Sequence, residues 1–456
     1  MILFEFVEKL KVDKFYFYLR ISSFCFILLF FNLIGAQDLS LDLGELMDGK
    51  YDPNRLEAIR SMRNGEYYTV LEEDKTLNTN SLVSYAYSNA LERKVLIDSN
   101  RFPEKNKFSG YTFSNDEQKI LLETLTDNIY RRSKQAIYWI YDIKTNSLEK
   151  LFDQKVQEPL FSPDGSNVAY VYRRNLFIKN LELDIVKQIT YDGDYQTING
   201  ITDWVYEEEF GFVRAFDWSQ DSNQIVYMRF DESNVPIFSM DVYGNQTYPF
   251  PYMFRYPKAG EENSKIELII YNTSSQTKET IDFENETPYY IPRIQFIGGR
   301  HSLIIQTLNR HQNKLKLWRW DTIKKNLQLL LTEIDEAYVS INDDLKFIED
   351  DGFLWTSEKD GYRHIYHFDK DGKLINQVTQ GDWEVTTIYN YNPKSKEIYF
   401  QSVEGSSIER GIYAIDISGR GKRKLQPTQG FNGATFSTNN SYYIHSYSDE
   451  LTPPIY

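Results

Sequence analysis

Phe161-Ser162-Pro163-Asp164-Gly165, followed after Ser166-Asn167 by Val168-Ala169-Tyr170-Val171, is the clearest copy of a unit that recurs along this chain. Proline presets the first turn torsion, aspartate bonds the local backbone, glycine accepts a positive φ, and the apolar run after it alternates faces as a strand does. Each copy therefore reads as a hairpin corner. Related units are Met62-Arg63-Asn64-Gly65 before Tyr67-Tyr68-Thr69-Val70, Phe113-Ser114-Asn115-Asp116 before Ile120-Leu121-Leu122, and Trp218-Ser219-Gln220-Asp221-Ser222 before Ile225-Val226-Tyr227. Weaker copies start at Phe296, Phe347, Tyr391 and Phe436. The eight starts are separated by 51, 48, 57, 78, 51, 44 and 45 residues. That is the spacing of four-stranded propeller blades with one insertion, and it predicts an all-β chain folded as an eight-bladed β-propeller over about residues 55–450. The longest interval holds Tyr248-Pro249-Phe250-Pro251 and Tyr256-Pro257-Lys258-Ala259-Gly260, which predicts an ordered excursion from one blade.

Composition agrees with strands and narrows the partners. Of the 456 residues, 16% are aromatic, with 35 Tyr and 29 Phe, and they alternate with polar residues in short runs. A formal charge of -15 opposes a nucleic-acid partner, which clustered Lys and Arg would have to neutralise. Lys9, Lys11, Lys14 and Arg20 precede the apolar run Ile21–Ala36, and Gly35-Ala36 supplies small residues for cleavage, so residues 1–36 read as a secretory signal and the mature chain as extracytoplasmic, periplasmic or secreted. The alternative is a membrane anchor through residues 21–36, although the run is shorter than the roughly 20 residues a spanning helix needs. Cys25, the only cysteine, lies in this run, so the mature chain has no disulfide and depends on a large core. Residues 37–54 form a leading segment whose Leu39, Leu41, Leu43 and Leu46 require a covering surface.

Asp203-Trp204-Val205-Tyr206-Glu207-Glu208-Glu209 sets three adjacent carboxylates behind two aromatics, a trap suited to a cation. Asp203 can cap a short helix whose first turn holds the glutamates, where free N–H groups favour anions, and a solvated helix face is the competing explanation. The heptad resembles the D-W-x-Y-E-E-E signature of the dipeptidyl peptidase IV family, secreted or membrane-held serine peptidases of the prolyl oligopeptidase clan that remove dipeptides from free N-termini. Asn199-Gly200-Ile201-Thr202, Tyr256–Gly260, Glu358-Lys359-Asp360-Gly361-Tyr362-Arg363-His364-Ile365-Tyr366 and Gly381-Asp382-Trp383-Glu384-Val385 extend the resemblance over roughly residues 50–456.

The resemblance implies that Glu208 and Glu209 bind the free α-ammonium of a peptide and that Arg131, with Arg132 as a rival, holds a substrate carbonyl. Anchoring by the N-terminus lets only the second peptide bond reach a nucleophile, so X-Pro or X-Ala dipeptides would be released. The clan's G-x-S-x-G elbow is absent: Gly405-Ser406-Ser407 and Ser418-Gly419 lack the flanking glycines. Residues 451–456 resemble the strand leading toward the family's α/β-hydrolase domain, which is expected to lie outside this sequence. The chain alone is thus expected to have no catalytic residue and no activity. The alternative is a non-catalytic propeller that captures peptide N-termini. A propeller glycosidase is disfavoured, because adjacent glutamates on one helical turn do not flank a bond as acid and base must. His364 and His367 stand three apart on a strand, pointing to opposite sides, so neither a metal nor another cofactor is expected. Partners implied by the resemblance are a peptide with a free N-terminus, the hydrolase domain of the full-length enzyme and, in some members, a second copy as a homodimer.

Overall fold

The protein is described here by a computed structural model covering residues 41–53, 56, 58–103, 106–283, 286–297, 301–348 and 352–456. The signal, the anchor alternative and Cys25 lie outside the described residues. The chain divides into units 1–54 and 55–456. In the first, helix Leu43–Met47 is capped by Asp42, and Leu41, Leu43 and Leu46 are exposed.

The second unit is a β-propeller whose blades are antiparallel sheets paired in chain order. Blade I comprises Arg60–Ser61, Tyr67–Asp74, Thr79–Ala86 and Asn89–Asp98. Blade II comprises Phe108–Phe113, Lys119–Asn128, Lys134–Asp142 and Ser147–Lys150, and blade III Gln157–Phe161, Asn167–Tyr172, Asn175–Asn180 and Ile185–Gln188. In blade IV the first strand is split into Thr197–Asn199 and Phe216–Trp218, both paired with Gln224–Asp231, and Lys265–Asn272 and Lys278–Thr280 follow. Blade V holds Tyr290–Ile297, Ser302–Leu308, Lys314–Asp321 and Asn326–Ile334. Blade VI holds Lys346–Ile348, Gly352–Ser357, His364–Phe368 and Leu374–Gln377, and blade VII Val385–Asn392, Glu397–Ser402, Gly411–Asp416 and Arg423–Lys424.

The number of blades is seven, not eight. The eighth corner, at Phe436, joins only Phe431–Phe436 to Tyr443–Ser448, a two-stranded sheet. The corner pattern reports the turn between a first and a second strand and carries no information on outer strands, so the eighth copy overstates the count. This pair lies beside both ends of the ring: Ala434 N–H donates to Tyr389 Oη of blade VII at 3.2 Å, and Thr438 N–H donates to Ser61 Oγ of blade I at 3.0 Å. Tyr442 stacks on Tyr87 with centroids 5.4 Å apart.

The corners themselves are built as the residues dictate. Ser162 Oγ donates to Asp164 Oδ1 at 2.6 Å and accepts Asn167 N–H at 2.9 Å, while Gly165 adopts φ 70°. Ser114–Asp116, Ser219–Asp221 and Ser437–Asn439 repeat the first bond at 2.6, 2.6 and 2.9 Å. Second strands such as Ser302–Leu308 and Gly352–Ser357 are buried along their whole length, as strands packed on both faces must be, whereas fourth strands such as Ile185–Gln188 are largely open. The apolar cores lie between neighbouring blades: Leu82 and Ile97 with Ile120 and Leu122, and Leu354 and Ile365 with Ile398 and Phe400. Side chains tie the blades as well. Half-buried Asp217 of blade IV accepts Phe296 N–H of blade V at 2.8 Å, and desolvation pushes its carboxyl up to about 6.

Candidate functional site

The acidic helix Trp204–Glu209 interrupts the first strand of blade IV. That strand starts opposite Asp231 and ends opposite Ile225, so the helix, the turn at residues 129–133 between the second and third strands of blade II, and the segment leaving Asp231 gather at the end of the propeller opposite the corners. The segment after Asp231 is the excursion expected from the long interval. It forms the hairpin Ile237–Val242 and Phe250–Arg255, whose Phe254, with Tyr256 beyond it, packs on Trp204; the Trp204–Tyr256 centroids are 4.6 Å apart.

Asp203 caps the helix, accepting Tyr206 N–H at 2.9 Å on one oxygen and the Ser264 hydroxyl on the other. Burial raises its carboxyl above the ordinary aspartate range against these bonds. Tyr206, 1% exposed, sits among Phe210, Phe230 and Tyr290, and its hydroxyl accepts Ile291 N–H of blade V at 2.9 Å. Arg293 of the same strand donates to the Phe210 carbonyl at 2.9 Å and pairs with Asp343 at 2.6 Å. The short helix is thus fixed at its start by its own cap and Ser264, and through Tyr206 and Phe210 by the neighbouring blade V.

The three glutamates occupy three environments, because consecutive helical residues turn by about 100°. Glu207 is buried; its Oε1 accepts the backbone N–H of Arg132 and of Ser133, each at 2.7 Å. Glu208 is 16% exposed in its side chain and pairs with Arg131 Nε at 2.8 Å. Glu209 is exposed and has no hydrogen-bond or ion-pair partner among the described residues. The expectation that the glutamates fill the first helical turn fails for Glu208 and Glu209, which lie at the C-terminal end of a six-residue helix, where free carbonyls rather than free N–H groups face them. Arg131 is 73% exposed, while the rival Arg132 donates Nη1 to the Glu207 carbonyl at 3.2 Å. Residues from blades II and IV, 77 positions apart, therefore bring one guanidinium and one carboxylate, Arg131 and Glu208, together.

Behind Glu207 lies a cavity of about 430 Å³, lined among others by Tyr130, Trp204, Tyr252, Arg174 and Glu232. Arg174 Nη1 pairs with Glu232 Oε2 at 2.9 Å, and burial nevertheless pushes the Glu232 carboxyl up to about 7. Arg131, Glu208 and Glu209 do not line this cavity. Sequence reasoning missed Ser264, Arg293, Arg174 and Glu232, which stand in no local pattern that marks them. The Glu358–Tyr366 segment does not reach the acidic helix. His364 bonds Thr379 and the Gly381 carbonyl at 3.1 and 2.9 Å, and Arg363 reaches Asp344 at 2.6 Å, so the segment ties strands and blades.

Residues 114–454 match the family description of the dipeptidyl peptidase IV (DPP IV) N-terminal region. A probable dipeptidyl-aminopeptidase B of Podospora anserina is 29% identical over 429 residues, 85% of this chain and 46% of that protein. Its Neurospora crassa namesake is 28% identical over 424 residues, 85% of this chain and 45% of that protein. The chain thus spans about half the length of these curated relatives. The crystal structure of Porphyromonas gingivalis dipeptidyl peptidase 4 superposes with a TM-score of 0.83 at 37% identity, covering 91% of this chain and 60% of that one. The matched sequence, the superposable propeller and the helix inserted in blade IV converge on one assignment: the chain belongs to the dipeptidyl peptidase IV family, of which it carries the N-terminal propeller region.

Proposed function

We propose that this chain is the substrate-anchoring propeller of a serine-type dipeptidyl peptidase that releases N-terminal X-Pro or X-Ala dipeptides. Glu208 and Glu209 receive the α-ammonium of the peptide, Arg131 its carbonyl, and a hydrolase domain supplies the nucleophile, base and acid. The observation that carries this reading is the convergence of Arg131 and Glu208 at 2.8 Å from separate blades, with the next residue, Glu209, exposed and without a partner among the described residues. An ammonium has three donors, and two carboxylates that repel one another gain most when a cation lies between them. Each charge-assisted bond there contributes on the order of 1.5–3 kcal/mol. The basic residues before the apolar run Ile21–Ala36 support export of the enzyme, with residues 1–36 removed and the propeller following the leading segment 37–54.

The experiment is a fusion of residues 37–456 to a family hydrolase domain. Dipeptide release is expected from the fusion and not from the 456-residue chain. In the fusion, Glu208→Ala or Glu209→Ala lowers kcat/KM by roughly 30- to 1000-fold, or about 2 to 4 kcal/mol, and Arg131→Ala lowers it less because its partner is a neutral carbonyl. Hydrolysis by the pure chain alone, blocked by a serine-directed inhibitor, overturns the reading. A fusion that binds peptides without cleaving them returns the chain to the capture-propeller alternative.

A further inference from the structure

Glu207 is the one glutamate of the run that faces away from solvent, at 2% exposure. Its Oε1 accepts two backbone N–H groups, from Arg132 and Ser133, both at 2.7 Å, and its own carbonyl accepts Arg132 Nη1 at 3.2 Å. The turn it grips is also closed locally: Ile129 N–H reaches the Ser133 carbonyl at 2.8 Å and Tyr130 N–H reaches Ser133 Oγ at 3.1 Å. Three bonds therefore fasten this turn of blade II to the helix of blade IV, and none of them uses the Arg131 side chain. That side chain is left free to extend along the surface to Glu208.

We propose that Glu207 is a positioning residue. By holding the Arg132 and Ser133 amides it sets where the Arg131 guanidinium stands relative to Glu208 and Glu209, and hence the separation between the carbonyl anchor and the ammonium anchor. The proposal rests on the reading of Arg131, Glu208 and Glu209 given above. The helix backbone is fixed by its Asp203 cap and by Tyr206, so an aspartate at position 207, one methylene shorter, cannot follow the turn. A glutamine keeps the acceptor oxygen and loses the charge that strengthens both bonds.

The test uses the full chain and two readouts. Amide hydrogen exchange over residues 129–135 reports the grip. NMR titration with the dipeptide Ala-Pro, against N-acetyl-Ala-Pro, reports the site. Folding of each variant is checked by its thermal transition. Glu207→Asp is expected to speed exchange in this turn by about tenfold or more and to weaken Ala-Pro by at least about fivefold, and Glu207→Gln to fall between it and the wild type. Arg131→Ala, which weakens Ala-Pro in the wild type, is expected to have no further effect in the Glu207→Asp background. Wild-type exchange in both Glu207 variants, or an undiminished Arg131→Ala effect in either background, overturns the positioning role alone. If Glu207→Asp does not fold, Glu207→Gln decides by the same two criteria. A wild-type chain that does not distinguish Ala-Pro from its acetylated form overturns the site reading, and this proposal with it.

Discussion

Replacing Asp344 by alanine should open the contact between blades VI and VII. Asp344 is 6% exposed and serves both blades: Oδ1 accepts Ile388 N–H at 2.9 Å and Thr387 Oγ1 at 3.2 Å, and Oδ2 accepts Arg363 Nη2 at 2.6 Å. Alanine leaves the N–H of Ile388, itself 3% exposed, buried without an acceptor, which costs about 1–3 kcal/mol. It also strands the Arg363 guanidinium. Losing one partner of a fully buried pair costs about 3–5 kcal/mol, but Arg363 is 26% exposed and keeps the Thr386 carbonyl and Thr356 Oγ1, which reduces this part to about 1–2 kcal/mol. The sum is about 2–5 kcal/mol. Asp344→Asn keeps one acceptor oxygen for Ile388 N–H and Thr387 but turns its NH2 toward Arg363, and should cost less than alanine, about 1–2 kcal/mol. Urea unfolding followed by tryptophan fluorescence reads the change, since Trp355 lies fully buried in blade VI; an unchanged m-value shows that the same surface unfolds. An Asp344→Ala variant within about 1 kcal/mol of the wild type, or an Arg363→Met effect that adds fully to it, would refute the reasoning.

Two further outcomes test the fold and the cavity. The Glu232 carboxyl binds its proton more tightly in the folded state, with a value of about 7 against the usual 4.5. Its contribution is therefore full below the unfolded value and is lost as pH rises through about 7. Between about pH 5 and pH 8 the wild type should lose on the order of 2 kcal/mol from this group, and Glu232→Gln should flatten the thermal-transition profile over that window; a profile unchanged by the substitution contradicts the assignment. At Gly352, φ is 102° and an added Cβ would stand 1.9 Å from the Phe368 carbonyl oxygen, so Gly352→Ala should destabilise by more than about 3 kcal/mol, and a soluble variant with a wild-type transition would show that the strand can shift.

The corners were legible because their chemistry is local. Ser162, Asp164 and Asn167 satisfy one another within six residues, so the amino-acid pattern and the bonded turn are nearly the same object. The blade count was not legible from that pattern. Ser437 and Asn439 make the same bond as Ser162 and Asp164, and Tyr442 N–H returns to Ser437 Oγ, yet among the described residues two strands pair there, with an isolated bridge from Ile455 to Tyr447. The Asp203 cap followed from its place before Trp204. The division of labour among Glu207, Glu208 and Glu209 did not, because it depends on the direction each points and on a turn some 75 positions earlier. The Gly361–His364 pattern was legible as kinship, while its part in joining blades needed Asp344 and Thr386, whose roles no spacing announces.

The junction at Thr438 and Ser61 joins positions 377 residues apart, whereas every strand pairing within a blade is made between near neighbours in the chain. The entropy lost in closing a loop grows with its length, so blades form from local hairpins first and the ring shuts last. Among the described residues, what shuts it is a few bonds involving side chains and one stacked tyrosine pair rather than a shared ladder of backbone hydrogen bonds. This seam is accordingly where the circle parts first when the protein is pulled by its ends or warmed, and its hydrogen exchange sets the lower bound of stability for the whole propeller.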